Sequence, residues 1–186
     1  MILPIYAYGH GVLKRRAKAI DQDYPHLEEL VQNMWETMYK ADGVGLAAPQ
    51  VGLGIRLFLV DTKQMKDEGK EEEGIKIAFL NAEKVEEGGK EWTYEEGCLS
   101  IPDVRGDVDR PAQIKLRWVD TDFNEHEQIF TGLEARVIQH EYDHIEGMLF
   151  TEYLKPIKRR LIKRKLENIK KGKVKAGYKM RFPNAK

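Results

Sequence analysis

The sequence predicts an α+β protein in which mixed or antiparallel β-sheets pack around a central HExxH helix, with a further helix near the C-terminus. Three observations predict this. Apolar residues recur at helical spacing in three separate segments. The strand-like segments come in runs between those helices, not in βαβ alternation. The most distinctive polar motif, His140-Glu141-Tyr142-Asp143-His144, falls inside the second helical segment.

Taken in order, the first helix is expected from Pro25 to Lys40. Pro25 suits a first helical position, where its missing N–H costs nothing, and Leu27, Leu30, Val31, Met34 and Met38 form one apolar stripe before Ala41-Asp42-Gly43 ends it. A β-rich middle follows. Ile55–Val60 reads as a buried strand, residues 62–74 as a charged, solvated loop, and Ile75–Leu80 as a second strand. Residues 85–92 read as a hairpin turning at Gly88-Gly89. Ile114–Val119 and His126–Phe130 pair around the turn Asp120–Asn124. The second helix starts at Thr131, whose spacing to Glu134 is that of a capping box, and ends near Gly147, suited to a left-handed cap. The third runs from Pro156 to about Lys171, with Ile157, Leu161, Leu166 and Ile169 as a narrow apolar seam on an otherwise basic surface.

A length of 186 residues suggests one domain. We read residues 1–172 as a single catalytic domain that includes the basic helix, and 173–186 as a tail that the pattern leaves free to be flexible. Charges balance, with 31 Lys plus Arg against 31 Asp plus Glu, so net charge points neither to nucleic acid nor to an acidic substrate. The one cysteine, Cys98, excludes an intrachain disulfide and suits a reducing compartment. The start MILPIYAYGHG lacks the pattern of a secretory signal, and no apolar run reaches the ~20 residues of a membrane span. A soluble, cytoplasmic protein without membrane partners is therefore expected.

HExxH on a helix places two imidazoles one turn apart on one face, within reach of a single ion. Glu141 sits beside that ion without ligating it, where it can exchange a proton with a water. Leu133, Val137, His140 and His144 share a stripe that the pattern turns inward. Burying two imidazoles and a carboxylate there without partners costs several kcal/mol, roughly, and a metal removes that cost. A catalytic ion usually has three protein ligands and an open position. The metalloprotease pattern HExxHxxGxxH would require a third histidine, but Phe150 stands at that place. A distant acid and Cys98 both qualify as the third ligand. A thiolate binds borderline and soft divalent ions well, whereas a lone cysteine is more often an inert packing residue.

Three segments together settle on a resemblance. Gly43–Gln50 (GVGLAAPQ), Glu96–Ser100 (EGCLS) and Gln139–His144 (QHEYDH) resemble, in order and in approximate separation, the GxGLAAxQ, EGCLS and QHExDH motifs of the peptide deformylases. The likeness runs from Met1 to about Pro156; the stretch beyond Gly172 has no counterpart in it.

The resemblance implies that Cys98, His140 and His144 bind one divalent metal, Fe(II) in the native protein of most bacterial members, with Zn(II), Ni(II) or Co(II) taking its place in purified material. It implies that Glu141 is the general base and then acid, and that Gln50 and the Leu99 backbone N–H stabilise the oxyanion. The Gly45 backbone holds the formyl group or peptide. Val44, Tyr94, Leu133 and Val137 line a pocket for a methionine side chain, and Arg105 holds the far end of the substrate; Arg110 is left between a structural and a binding role. The implied substrates are N-formylmethionyl nascent peptides, from which formate is released. An HExxH metallopeptidase is the alternative. Lys155–Lys175 carries eleven Lys or Arg against one acid, Glu167, which admits a ribosome contact as well as a merely solvated face.

Overall fold

The computed structural model describes residues 1–184. Its centre is a five-stranded antiparallel sheet in the order β2-β3-β4-β7-β8, formed by Gly45–Ala47 (β2), Leu57–Asp61 (β3), Lys76–Gly88 (β4), Gln113–Val119 (β7) and Glu125–Thr131 (β8). Trp92–Cys98 (β5) and Ile101–Arg110 (β6) make a separate antiparallel ribbon. Ile5–Tyr6 (β1) pairs in parallel with Met180–Arg181 (β9), joining the two ends of the described chain.

β3 shows why the sheet is covered twice. Its side chains alternate faces, and all five residues are buried. Phe58 and Val60 join Phe79, Trp118 and Phe130 in a core closed by the central helix Gly132–Ile145 (α2). Leu57 and Leu59 face the opposite way, onto Val31, Met34 and Met38 of Leu27–Lys40 (α1). A third cluster lies between the ribbon and Pro156–Lys170 (α3), where Val104 and Val108 meet Phe150, Leu154, Ile162 and Ile169. The α+β architecture is therefore as the pattern predicts. α2 is sandwiched, with one side on the large sheet and the other toward the ribbon.

Several local expectations are corrected. α1 starts at Leu27, because His26 takes φ +54° and breaks the helix before Pro25 can join it. Gly88-Gly89 does not turn a hairpin. β4 continues to Gly88 and pairs with β7, whereas β5 leaves for β6, so the glycines mark a change of sheet. The strand β6 was not foreseen. Thr131 precedes α2 without a side-chain cap, and Glu134 instead pairs with Lys66 Nζ at 2.6 Å and accepts from Thr62 Oγ1 at 3.1 Å. Gly147 does supply the left-handed stop, at φ +76°. On α3 the seam is displaced: Ile162, Leu166 and Ile169 turn inward, while Ile157 and Leu161 are 77% and 72% exposed, roughly a third of a turn away.

The segment after α3 packs back on the body. Ile5 N–H donates to Lys179 O and Ala7 N–H to Arg181 O, both at 2.9 Å, and Val174, Met180 and Phe182 pack against the third cluster. Residues 185–186 of the predicted tail lie outside the described residues. No described helix is long and apolar enough to cross a membrane.

Candidate metal centre and substrate cleft

Two elements build the centre. α2 carries His140 and His144 one turn apart, with ring centroids 5.1 Å apart. Cys98 ends β5, where the pairing with β6 slips: Gly97 faces Arg105, but Cys98 already faces Ile101. This slip turns the thiol toward α2. Ligand atoms of Cys98, His140 and His144 all lie within 4.8 Å of one another, and Cys98 Sγ is 3.3 Å from His144 Nε2. The lone cysteine of mid-chain and the two late imidazoles are thus brought together.

The surroundings fit a cation there. His140 Nδ1 is hydrogen-bonded to Glu96 Oε1 at 2.7 Å, which fixes the ring and leaves its other nitrogen for an ion, the usual carboxylate–histidine arrangement. Burial alone would lower His140, but Cys98 and Glu96 outweigh it and raise its pKa well above the ordinary value. The Glu96 carboxylate beside the ring favours positive charge there, whether a proton or a metal ion. His144 is pushed well below its ordinary value, first by burial and then by His140, so it is neutral and keeps a lone pair for coordination.

Glu96 is itself held from three sides. Arg110 donates to both of its oxygens, at 2.7 and 3.0 Å, and Arg136 Nη1 approaches at 3.1 Å. Burial raises the Glu96 carboxyl, but His140 and Arg110 overcome this and hold it far below the usual carboxylate range. Arg110 also reaches Asp143 at 2.7 Å. The motif's own aspartate is thereby tied to the ribbon, and Arg110 takes the structural role that its sequence position left open. Arg136, absent from the expected site, is fully buried and also donates to the Val108 carbonyl at 2.8 Å.

Glu141 lies 4% exposed beside this cluster, and its Oε2 has no partner among the described residues. Burial raises its pKa to about 7, opposed by His140 and assisted by Glu96 and Asp143. Gly45 is the reason it fits: a Cβ at that position would overlap the Glu141 carboxyl, 2.7 Å from its Cδ. At Gly43 a Cβ would meet the tip of Leu99, 2.7 Å from its Cδ1, so Leu99 would have to shift. The motif glycines make room for the other two motifs.

Gln50 is 1% exposed. Its Oε1 accepts from the Ala47 N–H at 2.8 Å, so its Nε2 must point the other way, toward Cys98 Sγ at 3.4 Å and Ser100 Oγ at 3.3 Å. This orients the amide as a donor at the centre.

A cleft of about 550 Å³ opens onto these groups. Val44, Gly45, Gln50, Tyr94, Cys98, Leu99, Arg105, Val137, His140 and Glu141 all line it. Leu133, expected beside Val137, is half-buried and outside the lining. It stands one turn nearer the start of α2, beyond the end of the cleft. Arg105 is at the rim, with its Nε 2.9 Å from Glu95 Oε1. The other wall was missed altogether: Lys175–Tyr178, from the stretch that resembled nothing, line the same cleft. Its aromatic Tyr178 was the one available signal.

Comparison with known proteins agrees with this geometry. The family model described as Polypeptide deformylase matches residues 2–160. The chain is 55% identical to the peptide deformylase of Christiangramia forsetii, over 100% of this chain and 98% of that protein. It is 52% identical to that of Flavobacterium johnsoniae with the same coverage. Among solved structures, a peptide deformylase from Legionella pneumophila superposes with a TM-score of 0.80 at 35% identity, over 93% of this chain and 98% of that one. Peptide deformylase 1B of Arabidopsis thaliana gives 0.81 at 33%, over 92% of both. A metallopeptidase reading would share only the HExxH helix with this pattern and is set aside. Over nearly its whole length, then, this chain belongs to the peptide deformylase family, and it is a metal-dependent hydrolase that removes the N-formyl group from newly made peptides.

Proposed function

We propose that Cys98, His140 and His144 hold the metal ion and that Glu141 is the proton-transfer group of the reaction. When bound, a divalent ion supplies Lewis acidity, acidifying water and polarising a carbonyl. Glu141 takes a proton from the attacking water as its oxygen meets the formyl carbon, then returns it to the departing amine nitrogen. A carboxyl with a pKa near 7 suits both halves of that exchange. Gln50 Nε2 and the Leu99 N–H donate to the oxyanion as charge grows on it; losing one such donor typically costs about 10²–10³ in rate. The backbone at Gly45 flanks the formyl group, whose carbon carries only hydrogen, so close walls exclude larger acyl groups. Val44, Tyr94 and Val137 accept the methionine side chain, and Arg105 meets the substrate further out. The single observation that carries this reading is the meeting of three ligand atoms beside a buried carboxylate oxygen that has no partner among the described residues.

The finer assignments follow the family resemblance. It implies Fe(II) as the native ion; Zn(II), Ni(II) or Co(II), which bind such sites more tightly, can take its place on purification. The protein works in the cytoplasm on N-formylmethionyl chains. α3 presents Lys158, Arg159, Arg160, Lys163 and Arg164 to solvent, which supports contact with ribosomal RNA. The reading is tested by anaerobic purification, metal analysis and formate release from formyl-Met peptides beside their free-amine counterparts. Formate release tracking iron content is expected. Cleavage of the unformylated peptides would contradict it.

A further inference from the structure

The Leu99-Ser100 turn follows the slip in the β5–β6 pairing and is closed within the ribbon by the Cys98–Ile101 pair. Three long-range hydrogen bonds hold it from outside the ribbon. Gln50 reaches Ser100 Oγ, the Tyr8 N–H donates to Ser100 O at 2.8 Å, and the Tyr178 hydroxyl donates to Leu99 O at 2.7 Å across 79 residues of sequence. Two of these come from the chain's two end segments, which β1 and β9 tie together. Tyr178 and Leu99 both pack, partly buried, against the second core cluster. Tyr178 also lies outside residues 2–160, the span the family model matches, yet it lines the same cleft as Cys98 and Glu141.

We infer that Tyr178 is a positioning residue for the deformylation reaction, its hydroxyl fixing the Leu99 carbonyl and so the orientation of the Leu99 N–H. The inference rests on the proposed reading of the cleft as the reaction site. It makes the C-terminal segment part of the working cleft. The Leu99 carbonyl belongs to the Leu99–Ser100 peptide group, the next along the chain from the group that carries the donor N–H, so anchoring it restricts rotation at Leu99, and the donor is useful only where the charge will develop. Without the hydroxyl, Leu99 O loses its anchor and the turn can rotate, while the ligand atoms and the pocket walls stay in place.

The experiment compares Tyr178→Phe and Tyr178→Ala with the wild-type protein in formate release from formyl-Met peptides, alongside metal content and thermal midpoint. For Tyr178→Phe, kcat should fall about five- to tenfold, the worth of one hydrogen bond. KM should stay within about twofold, with metal content and midpoint near wild type. Tyr178→Ala should lose at least as much kcat and also raise KM, because the wall is gone. Wild-type kcat in Tyr178→Phe with loss only in Tyr178→Ala would show that the ring merely packs, and would overturn the inference. So would a kcat loss in Tyr178→Phe that follows metal loss. Glu141→Gln assayed in parallel separates the two levels: full turnover there would sink the site reading itself, whatever Tyr178 does.

Discussion

α2 and α3 are nearly equal in length, 14 and 15 residues, and both are rich in polar and charged groups. They treat those groups in opposite ways. α2 buries Arg136, Gln139, Glu141 and His144, each no more than 4% exposed. Arg136 is answered by Glu96, Gln139 donates to the Pro111 carbonyl at 3.0 Å and His144 meets Cys98; among the described residues the oxygens Glu141 Oε2 and Gln139 Oε1 are left without a partner, and of these only Glu141 lines the cleft. α3 leaves its cations in water and buries only Ile162 and Ile169. Burying a charge is costly unless it is paired, so buried polar groups on a helix signal either a closed network or chemistry. The two helices show that it is the burial of charge, not its abundance, that marks the site.

Breaking the contrast at its strongest point should have the largest effect. Glu141→Gln on α2 should lower formate release about 10³-fold with the metal retained, whereas Arg164→Gln on α3 should leave turnover unchanged. A similar loss in both, by the same assay, would erase the distinction. Next, Arg110→Leu leaves buried Glu96 and half-buried Asp143 without their shared cation. Denaturant unfolding should show a loss of about 3–5 kcal/mol, the cost of stripping one partner from a buried pair. The smallest effects sharpen the account of α3. Ile169→Ala, at a 1% exposed position, should cost about 2–5 kcal/mol. Ile157→Ala, at a 77% exposed one, should stay within about 0.5 kcal/mol. Equal losses at the two positions would mean that the inward face of α3 has been misassigned.

The same contrast explains what could be read from the sequence. The pair His140 and His144 was legible because both sit on one helix, four residues apart, where spacing alone fixes proximity. The third ligand was legible only through the family motifs, since Cys98 meets His144 across 46 residues and no periodicity encodes that. The Glu96–Arg110–Arg136 network was missed for the same reason: its partners lie 14 and 40 residues apart, on β5, β6 and α2. In hindsight β6 carried a signal, because its alternation places Val104, Val108 and Arg110 on one inward face. The seam of α3 was misjudged because its apolar residues form two stripes, 157/161 and 162/166/169, and only the neighbouring ribbon decides which is covered. The capping box failed through competition, since Lys66 and Thr62 claim Glu134. Tyr178 lies in a segment with no pattern at all, and its partner is 79 residues away.

The central claim is that one sulfur and two imidazoles share an ion beside Glu141. Its most direct test is the metal content, after anaerobic purification, of the native protein, Cys98→Ala and Glu141→Gln. The account predicts one divalent ion per chain in the native protein and in Glu141→Gln, and close to none in Cys98→Ala. A Cys98→Ala protein that is folded and keeps its full complement of metal would contradict it.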